Sequence, residues 1–182
     1  MKAFTHYVAG EDDGSWFNSP EGIDFLGTAE QLGLIASISM APHHQNELRK
    51  AIERHPSLNF LFHHMSGLRA HGDDARANVD NVIETSKFPN AFLKLSGFHY
   101  LTNTTWNFPY KDTRWVYEEC YEAFGTNMVW GSDFPVVKKS MTHLQAIEAF
   151  RTQCDFVSEP DKRAILGGTL ERLLSEARSV IK

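Results

Sequence analysis

The sequence predicts an α/β fold built on a parallel sheet. Three observations favour it: short apolar runs alternate with segments of helical periodicity, most of these runs are continuously apolar, and Gly or Pro separates many of the segments. Continuous apolar strands that alternate with helices are typical of a parallel sheet covered on both faces. Two architectures fit this pattern, an open doubly wound sheet and part of a (β/α)8 barrel.

Five strands are expected, each followed by a helix. The strands are predicted at residues 2–8, 34–40, 58–63, 91–96 and 127–131. Helical spacing of apolar residues predicts helices at residues 21–32, 45–54, 75–87, 113–124, 141–153 and 169–181. Ser158 has the hydroxyl of a helix N-cap, so another helix is expected to begin there. Residues 97–112 are predicted to form a long loop.

Composition fits a single globular domain over residues 1–182. Hydrophobic residues make up 42% of the chain and charged residues 23%, which argues against disorder. The net charge is −5, and no run of Lys or Arg offers a face for nucleic acid. No apolar run approaches the roughly 18 residues of a membrane helix, and the first residues lack a secretory pattern. Cys120 and Cys154 are expected as buried free thiols, so a cytoplasmic protein without nucleic-acid or membrane partners is predicted.

Polar side chains follow the predicted strands at their carboxyl ends. No GxGxxG or Walker sequence indicates a nucleotide site. In parallel barrels, catalytic side chains come from the carboxyl ends of strands. The chemistry-bearing residues at these positions are His43, His44, His63, His64, Lys94, His99, Tyr100 and Asp133.

Each of these residues also has a purely structural explanation. A strand-end histidine can be a satisfied packing residue, Lys94 can pair with a carboxylate in a barrel core, and Asp133 can cap the loop before Pro135. His43 and His44 are expected to be loop histidines. Strand alternation lets only one residue of the pair His63–His64 point inward. We expect that residue to be His64, with Leu61 and His63 in the outer layer under the helices.

Together, the candidates favour water activation beside a polarised carbonyl. A carboxylate at one strand end, a histidine at another and a lysine between them would converge in a barrel. The aspartate would deprotonate water, and His or Lys would stabilise the developing oxyanion.

Three motifs and the final segment together resemble one family. The motifs are FHHMSG at 62–67, FLKLSG at 92–97 and VWGSDFPV at 129–136, and the final segment is GGTLERLL at 167–174. They are similar to the late-strand motifs and closing helix of the amidohydrolase-2 family, TIM-barrel hydrolases with and without a metal that include lactonases. The resemblance implies that Asp133 is the general base, and a ligand in metal-containing members. It also implies that His64 binds metal or polarises the substrate carbonyl, and that Lys94 supports the site.

The sequence departs from the family at its front. Family members open with a His-x-His strand that supplies two metal ligands, and no such triplet occurs in these 182 residues. Only His64 and Asp133 remain as ligand candidates, so a divalent metal such as Zn²⁺ would have an incomplete ligand set. Because a full barrel typically needs about 250 residues, we expect an incomplete barrel of about the last five βα units, with the first strands missing.

The incomplete barrel leaves two edges uncovered, at strands 2–8 and 127–131. Three alternatives fit these edges: a partial gene product, association with a second copy or another polypeptide, and an open sheet shielded by helices. Among these alternatives, self-association is our prediction.

The resulting functional prediction is a hydrolase that directs water at a lactone or related carbonyl substrate. Two alternatives stay open, a non-catalytic truncated barrel that acts as a binding or subunit protein and a metal-dependent decarboxylase of the same superfamily. The predicted substrate-binding residues are Lys94, His99, Tyr100 and Trp106.

Overall fold

The five predicted strands form one parallel sheet. The computed structural model describes residues 1–177. Its strands are β1 (Ala3–Tyr7), β2 (Ile35–Ser39), β3 (Asn59–Phe62), β4 (Ala91–Leu95) and β5 (Met128–Trp130). They are ordered β1-β2-β3-β4-β5, and every neighbouring pair is parallel. All five predicted strands are therefore confirmed, each one or two residues shorter at its ends than predicted.

Helices connect the strands and continue after β5. They are α1 (Pro20–Gln31), α2 (Gln45–Arg54), α3 (Ala75–Ile83), α4 (Phe98–Leu101), α5 (Arg114–Phe124), α6 (His143–Gln153), α7 (Glu159–Arg163) and α8 (Thr169–Glu176). A π-helical turn over Ala164–Gly168 joins α7 to α8. The prediction that residues 97–112 are all loop is wrong, because α4 forms within them. The predicted helix at 169–181 is confirmed over α8, and residues 178–181 lie outside the described residues.

Local sequence explains where several helices begin. The Ser19 hydroxyl accepts from the Gly22 N–H before α1, and the Ser158 hydroxyl accepts from the Asp161 N–H before α7. These side chains satisfy N–H groups that have no partner within the helix. The expectation of a helix start at Ser158 is therefore confirmed.

The outer face of the sheet forms the main core with the surrounding helices. Alternate strand residues such as Ile38, Phe60, Phe62 and Leu93 are fully buried there. Cys120 lies in α5 and Cys154 follows α6, and both are buried free thiols, as predicted. Within residues 1–177, no helix is long and apolar enough to cross a membrane.

The inner face of the sheet has an apolar lower layer near the amino ends of the strands. Ile35, Leu61, Phe92 and Val129 form this lower layer, and Leu173 and Ala177, in and just after α8, pack on it. The expectation that Leu61 lies in the outer layer under the helices is therefore wrong. The neighbours of Leu61 on the same strand, Phe60 and Phe62, face outward in its place.

Helix α8 extends from the β5 side of the sheet towards β1. Its residue Leu173 reaches the lower layer, and the Lys2 ammonium beside β1 donates to the carbonyl oxygen of Ala177 at 2.9 Å. A lysine at this position also interacts favourably with the negative end of the helix dipole. Helix α8 therefore covers the lower half of the inner face and leaves the upper half open.

Candidate active site

The polar strand ends converge on the upper half of the inner face. Because all five strands are parallel, their carboxyl ends lie at one edge of the sheet. His63 and His64 follow β3, Ser96 follows β4, and Asp133 follows β5 by three residues. We call the group formed by these residues, together with Lys94 and Tyr100, the upper layer.

An unusual left-handed turn follows β3. His64, Met65, Ser66 and Gly67 have φ values of 46°, 51°, 57° and 71°. This conformation costs roughly 1–2 kcal/mol for each residue that carries a Cβ atom. Successive strained residues persist only where the surroundings hold them, and Met65 and Ser66 are fully buried.

The turn brings both histidines of the pair to the upper layer. The His63 and His64 ring centroids are 5.7 Å apart. The prediction that only His64 points inward and that His63 lies under the helices is therefore wrong. Alternation across a strand applies to extended backbone, and His64 has already left that conformation.

Asp133 and His64 lie opposite each other, as predicted. His64 Nε2 is 3.7 Å from Asp133 Oδ1, and their side chains are 24% and 16% exposed. The other ring nitrogen, His64 Nδ1, lies 3.0 Å from the Ser96 hydroxyl. Burial lowers the pKa of His64, while Asp133 opposes that shift and Lys94 adds to it. The imidazole is therefore favoured in its neutral form.

Tyr100 holds the second oxygen of the Asp133 carboxylate. Its hydroxyl donates to Oδ2 at 2.7 Å. Burial, followed by this hydrogen bond to the carboxylate, raises the pKa of Tyr100 to about 12. The loop-capping explanation for Asp133 is not supported, because it is the Ser132 hydroxyl that accepts from the Phe134 N–H.

Helix α4 is fixed so that Tyr100 can reach Asp133. Gly97 precedes it with a φ of 70°, and a Cβ atom there would lie 2.6 Å from Tyr100 Cε2. The Ala70 N–H donates to the Leu101 carbonyl at 2.8 Å, and the Arg69 guanidinium donates to the carbonyl of Tyr100. Gly97 is therefore required both by backbone conformation and by the position of the tyrosine ring.

His63 and Lys94 lie deeper on the same face. The Ser37 hydroxyl of β2 is hydrogen-bonded to His63 Nε2. Burial lowers the pKa of His63 to about 4, with further lowering from Lys94 and His64 against a raising effect of Asp133. Burial also lowers the pKa of Lys94, which Asp133 opposes. Among residues 1–177, no carboxylate oxygen lies within 4.0 Å of the Lys94 amine, so pairing in the core does not explain this residue.

The remaining predicted residues divide into one that joins the site and three that do not. His99 is buried, and its ring lies against that of Tyr100 with centroids 4.0 Å apart. Trp106 is 83% exposed on the loop after α4, so its substrate-binding role stays a prediction. His44 bonds the Asp12 carbonyl at 2.6 Å, which supports the expectation that His43 and His44 are loop histidines.

Sequence reasoning missed Ser37 and the inward position of His63. One signal for Ser37 is present in β2, where Ser37 and Ser39 alternate with the apolar residues Ala36 and Ile38. A polar residue repeated every second position marks one face of a strand.

The residues present do not complete a zinc site. A catalytic zinc ion takes three protein ligands, and His64 Nε2 with Asp133 Oδ1 would supply two. Within the described part of the chain, no group of three His, Cys, Asp or Glu side chains is arranged to hold a metal ion. These residues therefore do not by themselves support a chemical step that depends on a metal ion.

Residues 3–175 match the family model described as amidohydrolase, and the chain belongs to that family. A search of curated proteins finds no match. The fold and the strand-end site are those expected for enzymes built on parallel (β/α) barrels.

Solved structures establish the fold. An amidohydrolase from Burkholderia multivorans with bound zinc is similar with a TM-score of 0.85 and 17% identity, over 96% of this chain and 64% of that one. A probable 2-pyrone-4,6-dicarboxylic acid hydrolase from Acinetobacter baumannii with citric acid bound gives 0.79 and 19%, over 96% and 64%. A 2,6-dihydroxybenzoate decarboxylase from Rhizobium gives 0.59 and 17%, over 93% and 61%.

The chain thus spans about 64% of the length of the first two of these proteins. Its five parallel strands form an incomplete (β/α) barrel of the TIM type, as predicted.

Proposed function

We propose that this protein is a hydrolase that adds water to the carbonyl group of a lactone or related ester. The observation that carries the proposal is the orientation of Asp133. Tyr100 holds Oδ2 at 2.7 Å, which leaves Oδ1 free of that contact and 3.7 Å from His64 Nε2. One water molecule can be within hydrogen-bonding distance of two atoms at that separation.

In the proposed reaction, Asp133 is the general base. Its Oδ1 takes a proton from the water, and the water oxygen bonds to the carbonyl carbon. The tetrahedral intermediate then collapses, the bond to the ring oxygen breaks, and the proton on Asp133 passes to that oxygen. The product is an open-chain hydroxy acid, and Asp133 is again a carboxylate.

His64 is the proposed carbonyl polariser. When the Ser96 hydroxyl donates to Nδ1, the imidazole proton resides on Nε2, which then faces the cavity. A neutral imidazole with its proton on Nε2 can donate to the substrate oxygen. In the alternative to this role, Nε2 without its proton and Asp133 Oδ1 would be ligands of a divalent metal, for which a further ligand would be needed. The zinc bound by the Burkholderia protein supports this part of the proposal.

The test replaces Asp133 with asparagine, which keeps the shape of the side chain and removes its basicity. We expect Asp133→Asn to lower the turnover of a panel of five- and six-membered lactones by at least about 10³-fold, with an unchanged circular dichroism spectrum. Asp24→Asn, an exposed carboxylate on α1, is the matched control and should keep full activity.

Each assay is run with added Zn²⁺ and again with a chelator, and 2,6-dihydroxybenzoate is included to detect decarboxylation. Equal lactone hydrolysis by Asp133→Asn and the unmodified protein would contradict the proposal. The absence of lactone hydrolysis by the unmodified protein would also contradict the proposal. If the unmodified protein releases carbon dioxide from 2,6-dihydroxybenzoate and hydrolyses no lactone, the decarboxylase is favoured. A small-molecule carbonyl substrate, self-association through the open sheet edges and a cytoplasmic location stay predictions.

A further inference from the structure

We infer that Lys94 is a catalytic residue whose ammonium group binds the oxyanion formed when water adds to the carbonyl, and that Gly131 is a positioning residue that leaves space for the lysine side chain. This inference rests on the proposed hydrolase function, and it assigns to Lys94 the positive charge that would stabilise the oxyanion in that reaction.

Lys94 lies between the other functional strands. It is in β4 and is paired in register with Val129 of β5. It follows Phe92 of the lower layer by two residues, so it occupies the next inward position towards the carboxyl end. The pKa values of His63 and His64 both respond to its charge, and its own responds to Asp133. The ammonium is therefore near enough to the proposed base and to both histidines for their charges to interact.

The glycine at 131 is explained by Lys94. A Cβ atom at this position would lie 2.8 Å from Lys94 Cε, which is closer than carbon atoms approach without bonding. Gly131 does not have a positive φ, so its backbone conformation is open to other residues. An alanine at 131 would therefore force the flexible end of the Lys94 side chain to move.

Within residues 1–177, the Lys94 ammonium forms no direct ion pair and no hydrogen bond, although the side chain is half-buried. The Asp133 charge raises its pKa, but no carboxylate oxygen lies within 4.0 Å of the amine. A partly buried charge without a direct contact is unfavourable, and an anion formed beside it during the reaction would supply that contact.

A lysine is better suited than a histidine to carry that positive charge. An ordinary lysine amine keeps its proton to about pH 10.4, whereas an ordinary imidazole loses it near pH 6.5. In each cycle, water loses a proton to Asp133 while the carbonyl oxygen gains a negative charge beside Lys94. When the bond to the ring oxygen breaks, the electron pair on the oxyanion re-forms the C=O double bond, and the ring oxygen takes the proton from Asp133.

Four variants test this assignment by steady-state kinetics: Lys94→Met, Lys94→Arg, Gly131→Ala and the double variant Lys94→Met/Gly131→Ala. We expect Lys94→Met to lower kcat by about 10²–10³-fold with KM changed much less. Gly131→Ala should lower kcat in the presence of Lys94 and have no further effect in the double variant, because there is then no ammonium group to displace. Lys94→Arg keeps the charge and should recover part of kcat.

The outcomes separate this inference from the proposed function. If Asp133→Asn loses hydrolysis while Lys94→Met keeps kcat, the lysine assignment is overturned and the hydrolase stands. If Gly131→Ala is equally damaging with and without Lys94, the positioning role of the glycine is overturned.

Binding of a cyclic phosphonate ester, a stable analogue of the oxyanion, gives a readout that needs no turnover. Calorimetry should show at least about tenfold weaker binding by Lys94→Met than by the unmodified protein. This result would support the lysine assignment even if no lactone in the panel is hydrolysed. Equal binding by both proteins, or no binding by either, would overturn it. Circular dichroism identifies a variant that does not fold, and Lys94→Gln then takes the place of Lys94→Met.

Discussion

The lower and upper layers of the inner face belong to the same strands and differ in what they contact. In the lower layer, Ile35, Leu61, Phe92 and Val129 contact one another and α8. Two residues further towards the carboxyl ends lie His63, directly after β3, and Lys94, in β4, which belong to the upper layer with Asp133. A displacement of two residues, roughly 6.6 Å along a strand, thus separates a packed apolar layer from a layer of polar and titratable side chains.

The comparison shows how one short strand serves two purposes. The inner face of β2 to β5 near the amino ends is buried by α8 and contributes free energy of folding, as expected for the corresponding end of a barrel. Towards the carboxyl ends burial is incomplete, and the pKa values of His63, His64 and Lys94 are lowered. Stability and activity should therefore respond to different substitutions.

The largest effect on stability is expected in the lower layer. Leu173→Ala removes a fully buried side chain and should lower the free energy of unfolding by about 2–5 kcal/mol. The next residue, Leu174, is 37% exposed, so Leu174→Ala is a matched control with a much smaller effect. Urea denaturation measures both. If the two variants lose equal stability, α8 does not seal the lower layer in the way described.

A second substitution should affect activity more than stability. Gly97→Ala forces a Cβ atom towards the Tyr100 ring and should displace the hydroxyl from Asp133, with about a 10²-fold loss of kcat. Gly125→Ala also introduces a side chain at positive φ but meets nothing within 4 Å. It should lower the melting temperature and leave kcat unchanged. A Gly97→Ala enzyme with normal kcat would show that the Tyr100 contact is dispensable.

The smallest effect concerns the pH dependence of stability. The His63 pKa is about 4 in the folded protein and 6.5 in the unfolded chain, so the unfolded state binds the proton more readily between these values. The free energy of unfolding should be highest above pH 6.5 and fall as the pH decreases towards 4.

His63→Gln should make this decrease shallower, whereas Leu173→Ala should keep it, since no titrating group is altered in the lower layer. Denaturation curves at pH 7 and pH 5 measure the difference. An identical pH dependence in His63→Gln and the unmodified protein would show that the buried imidazole is not responsible.

Hydrophobic pattern was sufficient to predict much of the molecule. The five strands follow from apolar runs, in which sequence spacing determines side-chain direction. The parallel direction of those strands brings the segments that carry Asp133 and His64 to one edge of the sheet, although both residues lie beyond their strands at positive φ.

The errors occur where the backbone departs from regular structure. The inward position of His63 depends on the left-handed turn at 64–67, which hydrophobic periodicity does not encode. Helix α4 is only four residues long and depends on Gly97 and on contacts from residues 69 and 70. The substrate-binding role of Trp106 is not among these errors: it rests on residue type alone and stays a prediction, with the side chain exposed in the loop.

The left-handed turn after β3 also has a consequence for protein engineering. Glycine and asparagine adopt positive φ more easily than histidine, methionine or serine. A library selected only for heat tolerance would therefore accumulate glycine and asparagine in this turn, and would reach thermostable proteins with weakened catalysis. Screening for turnover alongside heat tolerance would keep position 64 as histidine and direct the stabilising substitutions elsewhere.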